Sequence, residues 1–124
     1  MKVFFTVTAM LTSSLVAMAT LAAEPEWIAA SDKNAMYVLE QQAPFTPENM
    51  SSSGLSQFDT EVLDLRRNVF ERSRDNDQAT FEELQRRLKK ERHPKVRQDL
   101  EILSEAVQRD IVTADIERAN LLPS

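Results

Sequence analysis

The sequence has no cysteine, one glycine and one histidine in 124 residues. Each scarcity excludes a class of chemistry. Without cysteine there is no disulfide and no thiolate to staple a small fold. With His93 as the single imidazole, a zinc site could draw only on carboxylates, whereas zinc sites normally use several N or S ligands. Gly54 is the single glycine, so there is no glycine loop to cradle phosphate. The serine elbow and the His-Glu-x-x-His pair of zinc peptidases are also missing.

There is no excess of positive charge either. Fifteen Lys and Arg stand against twenty Asp and Glu, a net charge of −5. The charge is uneven along the chain. Glu24 to Leu65 holds one basic and eight acidic residues. Arg66 to Asp99 holds eleven basic and seven acidic residues, and Leu100 to Ser124 holds two and five. The basic middle is mixed in sign, the pattern of a solvated helix face. The overall negative charge excludes general nucleic-acid binding.

What is present is a helix-forming composition rich in Glu, Arg, Gln and Leu, which predicts an all-α protein. The length allows one domain. Residues 1–23, "MKVFFTVTAMLTSSLVAMATLAA", read as a signal peptide: an early Lys2, an apolar stretch, then small residues. Cleavage fits after Ala19, Ala22 or Ala23, and "AMA" gives the best small-x-small match. Six Ser and Thr dilute the segment, so a stable membrane span is not expected once it is cleaved. The remaining segment, 24–124, is then exported, to the periplasm or beyond. At about a hundred residues it buries roughly 60–65% of its unfolded surface, which leaves a thin stability margin.

Three helices are expected in this segment. The first runs from about Pro25 to Gln42, with Ile28, Ala35, Leu39 and Ala43 on one face, widened by Trp27, Met36 and Tyr37, and Pro44 ends it. A connector follows, in which Thr46-Pro47-Glu48 can cap one short helical turn that the Ser51–Gly54 run then breaks. Phe45, Leu55 and Phe58 pin the connector to the helices.

The second helix starts between Arg66 and Thr80 and ends near Glu91. Thr80-Phe81-Glu82-Glu83 reads as a capping box, and Asp75-Asn76-Asp77 as a helix-start or turn cluster. Phe81, Leu84 and Leu88 form its inner stripe, with Glu82–Arg86 and Glu83–Arg87 as i to i+4 pairs.

The third helix runs from Pro94 to about Asn120, and the last two helices form a long antiparallel hairpin. Val96, Leu100, Leu103, Val107, Ile111 and Ala114 lie within about 80° of one another on a helical wheel. Ile102, Val112 and Ile116 cluster on the opposite side, together with Glu105 and Arg109. A helix in a simple hairpin needs one apolar face. Two faces imply a further packing partner on Ile102, Val112 and Ile116, either another copy or missing chain.

His93 has no second histidine, no cysteine and no assigned nucleophile, so "RHPK" reads as the join where His93 caps the helix begun by Pro94. A calcium loop started at Asp75 fails, because Ala79, Thr80 and Arg86 occupy its fifth, sixth and twelfth positions. Nothing in the spacing isolates a catalytic pair among the twenty acids. The sequence thus assigns no catalytic, cofactor-binding or metal-ligating residue.

Separated steps nevertheless recur in one pattern. They are Trp27, Ser31, Asn34 and Ala35, then Pro47-Glu48, then Gly54, Leu55, Phe58 and Asp59. Val62, Asp64 and Leu65 follow, then Pro94, Val96, Gln98, Asp99, Leu100, Ile102 and Leu103, and finally Leu121-Leu122-Pro123. In this order they resemble the amino-terminal segment of the bacterial domain-of-unknown-function family eight-eight-five. Its members are similar to large, mostly helical, secreted, zinc-dependent peptidases of the carboxypeptidase-like kind. The resemblance spans nearly all of residues 24–124 and includes no catalytic motif. The family's zinc signature, His-Glu followed by Pro-Gly-His-His, lies far downstream, and His93 does not match it. The resemblance therefore implies a non-catalytic helical scaffold, inactive alone, whose catalytic part is missing from a truncated gene or a fragment. The alternative is a stand-alone periplasmic module that binds a protein partner or itself. A third reading, a membrane-anchored hairpin, requires an uncleaved leader.

Overall fold

A computed structural model describes residues 23–60 and 62–121. The leader read at 1–23 lies outside these residues, apart from Ala23. The described chain is all-α: α1 (Glu26–Gln42), α2 (Pro47–Ser52), a 3-10 turn (Ser56–Phe58), α3 (Val69–Lys90) and α4 (Pro94–Leu121). The three long helices match the expected number, and α2 is the short turn foreseen at Pro47.

α3 and α4 form the antiparallel hairpin. Glu71 and Arg74 near the start of α3 pair with Arg118 and Asp115 near the end of α4. α1 packs against both. The main core joins Val38, Leu84, Val96, Leu100, Val107 and Ile111, flanked by Trp27, Ala30, Tyr37, Phe81, Leu88 and Leu103. A second small cluster of Ala43, Met50 and Phe58, with Leu39 and Leu55, holds the connector on the end of α1.

α1 matches its expected face in part: Trp27 and Tyr37 pack on the main core, and Leu39 and Ala43 on the second cluster. Asn34 and Val38, not expected there, are its buried residues, with Ala30 beside them, while Ile28 and Ala35 are only half buried. Apolar residues occur around much of α1, so their spacing does not select a face, and the buried side includes a polar Asn34. Pro25 stands one place before the helix, its carbonyl accepting from Ile28 N–H at 3.0 Å. Thr46 occupies the position before α2 without capping it, because its hydroxyl donates back to Gln42 O at 3.2 Å. Gly54 adopts φ +81°, a left-handed turn open to glycine at little steric cost.

The reading of the second helix needs two corrections. Thr80 is no cap. It lies eleven residues inside α3, is 1% exposed, and its hydroxyl donates to Asn76 O at 2.8 Å. That back-bond satisfies a buried hydroxyl inside a helix. Nor do Asp75, Asn76 and Asp77 make a turn. They lie within α3, where Asn76 Nδ2 donates to Gln41 O at 2.9 Å and satisfies an orphan carbonyl in the last turn of α1. α3 starts after Asn68, inside the expected window of Arg66 to Thr80, and Asn68 takes a left-handed φ of 59°, a conformation that asparagine tolerates. Of the expected ion pairs, Glu83–Arg87 forms at 2.7 Å. Arg86 turns to Glu83 rather than Glu82, and Glu82 accepts from Gln78 at 3.0 Å.

Candidate functional site

Three places merit description: the α3–α4 join, a cleft, and the outer face of α4. At the join, the His93 carbonyl accepts the first bond of α4 from Arg97 N–H at 2.9 Å. Glu91 Oε1 receives the backbone N–H groups of His93 and Arg92, both at 2.8 Å. These bonds, that of His93 first, hold the Glu91 carboxyl below its ordinary range. Arg97 donates to the carbonyls of Leu88 and Glu91, closing the end of α3. The His93 ring lies nearly parallel to Trp27, their centroids 6.2 Å apart, and Lys95 Nζ lies 4.4 Å from the Trp27 ring centre. His93 thus sits at a join held by Glu91, Arg97 and the first backbone bond of α4.

The cleft has a volume of about 600 Å³ and lies between the end of α1, the first half of α3 and the last third of α4. Volumes of this order accommodate a small molecule or a few side chains. Phe45, Met50, Phe70 and Ala114 give it apolar walls, and Leu121 stands at its edge. Phe70 and Leu121 are each 74% exposed. Its carboxylates are not equivalent. Burial, and secondly the charge of Asp110, pushes Asp77 up to about 6. Asp110 accepts from Gln42 Nε2 at 3.3 Å. Arg74 binds Asp115 and holds its carboxyl low, while Arg118 reaches Glu71 at 3.3 Å.

An acid near 6 could exchange a proton at neutral pH, but general acid–base catalysis needs a positioned partner. Ser73 and Thr113 line the cleft, and neither hydroxyl bonds to Asp77 among the described residues. Sequence reasoning missed this acid, because only the α1–α3–α4 packing brings Asp77 near Asp110. Among the described residues, no group of three or more His, Asp or Glu is arranged to hold a metal ion.

The outer face of α4 is where the sequence placed it. Ile102 is 55% exposed, Val112 51% and Ile116 56%. Glu105 and Arg109 lie between them, also exposed, and neither pairs with another charge among the described residues. Among the described residues, no helix is long and apolar enough to cross a membrane. No family model, curated protein or solved structure matches this chain.

Proposed function

We propose that this chain is an exported, non-catalytic helical scaffold that seats further protein on the outer face of α4, as the amino-terminal part of a larger zinc-peptidase-like protein. The observation that carries the reading is the two-sided α4. Val96, Leu100, Val107 and Ile111 are buried against the other helices, while Ile102, Val112 and Ile116 on the opposite side stay about half exposed. Covering them removes apolar surface from water, a gain of about 25 cal/mol per Å².

The nature of the larger protein comes from the family resemblance. Several residues that carry the resemblance hold joints of this fold, as a scaffold segment requires. Asn34 binds Arg87 across α1 and α3. Asp64 is gripped by Arg66 and Arg72, which hold its carboxyl far below the usual range, and its N–H donates to Pro44 O at 3.0 Å. Val96 and Leu100 are core residues. The residues present do not fit the family's zinc, since His93 is the sole imidazole and lies at the α3–α4 join. Reading the DNA beyond the Ser124 codon in all three forward frames tests the proposal. A His-Glu and Pro-Gly-His-His frame supports it, and unrelated sequence there contradicts it.

The second reading is a stand-alone exported module that uses the same face to bind a partner or itself. It is favoured by the order of that face, where two opposite, unpaired charges stand between the apolar residues.

A further inference from the structure

We infer that the outer face of α4 seats a second copy of this chain, with the two α4 helices antiparallel and Glu105 of each copy opposite Arg109 of the other. The inference rests on the second reading above, in which this face binds a partner or itself, and it names the occupant. Ile102, Glu105, Arg109, Val112 and Ile116 follow one another at spacings of 3, 4, 3 and 4 residues. This is the a/d repeat of a coiled-coil seam. At 100° per residue the five fall within about 80°, on the side of α4 turned away from the core stripe. All five are exposed.

Charge fixes orientation and register. A parallel pair would set Glu105 against Glu105 and Arg109 against Arg109, which like-charge repulsion disfavours. In an antiparallel pair, a positions face d positions. With Glu105 opposite Arg109, the two-fold axis generates a second such ion pair, and Ile102 meets Val112 in two further symmetric layers. Sliding one helix by a heptad sets Arg109 against Val112 and Glu105 against Ile116. This antiparallel register pairs Ile102 with Val112 and Glu105 with Arg109, and sets Ile116 opposite Gln98. The contact is isologous, so it closes as a two-fold dimer rather than a filament. The seam from Ile102 to Ile116 is only about 21 Å long at 1.5 Å per residue. The interface is accordingly small and the dimer weak, with a dissociation constant on the order of 10–100 µM.

The test is sedimentation equilibrium of purified residues 24–124, over roughly 5 to 500 µM. Mass rising from monomer to dimer is expected. E105R and R109E should each weaken association by at least about tenfold by placing like charges together, and the double variant E105R/R109E should restore it. Helicity measured on each variant verifies folding, which these exposed positions should leave intact. A monomer throughout the range overturns the inference. So does a dimer that is indifferent to the single reversals, or one that the double variant does not restore. None of these outcomes makes the chain a peptidase. The non-catalytic reading fails separately, through peptide hydrolysis.

Discussion

The guanidinium of Arg87 lies 4.1 Å above the ring centre of Tyr37, and its Nη1 donates to the buried Oδ1 of Asn34 at 2.9 Å. Its Nε is held by Glu83, whose carboxyl Arg87 first and Arg86 second pull below the ordinary range. This one side chain ties α1 to α3 through a cation–π contact and a charge-assisted hydrogen bond. R87M should destabilise the fold by about 1–3 kcal/mol, because it leaves the Asn34 amide oxygen buried without its donor. N34A in the same background should add little, since the two side chains act as a unit. Urea unfolding of both single variants and the double variant measures this. Additive losses would show that the pair is uncoupled.

Leu84 is fully buried and Leu100 is 1% exposed. L84A removes core volume where α1, α3 and α4 meet, with an expected loss of about 2–5 kcal/mol. In so small a domain that loss approaches the whole stability. I102A, by contrast, should change monomer stability by no more than about 0.5 kcal/mol. Circular dichroism melts of dilute samples distinguish the two.

Ser104 is 3% exposed, and its hydroxyl has no hydrogen-bond partner among the described residues. S104A removes an unsatisfied polar atom and improves helix propensity. It should therefore raise stability by about 1 kcal/mol, and the melting temperature by about 4–8 °C. A lowered melting temperature would contradict this reading of the site.

Asp77 titrates at about 6 in the fold against an ordinary 3.8. Between those values the folded chain binds more protons than the unfolded one, so this group lowers stability as pH rises through the window. The penalty is complete above about pH 6 and absent below about pH 4. D77N, neutral throughout, should exceed the parent by on the order of 1 kcal/mol near neutral pH, a figure discounted for partial solvent screening. Near pH 4 the two should coincide. Urea titrations at both pH values test the sign.

The stripe from Val96 to Ile111 was legible because α4 has one dense apolar row with helical spacing, and Pro94 marks its start. The outer face was legible for the same reason, since Ile102, Val112 and Ile116 fall together on the opposite side of the same helix. The start of α3 was legible only as a window from Arg66 to Thr80, and its cap was not. Thr80 and Asp75-Asn76-Asp77 carry the local chemistry of a helix start, and tertiary packing overrides it by giving Thr80 a buried back-bond and Asn76 a carbonyl of α1. The face of α1 was legible only in part because its deciding residue, Asn34, is polar and is buried through an arginine 53 positions away. The Asp77 environment depends on contacts between distant segments, which spacing along the chain does not encode.

The most direct test of the central claim is an activity assay. Purified residues 24–124 are incubated with zinc and a set of short peptides, with and without a chelator. The account predicts no hydrolysis above background under either condition, from a chain that is folded and helical. Zinc-dependent, chelator-sensitive cleavage by that chain alone would contradict it.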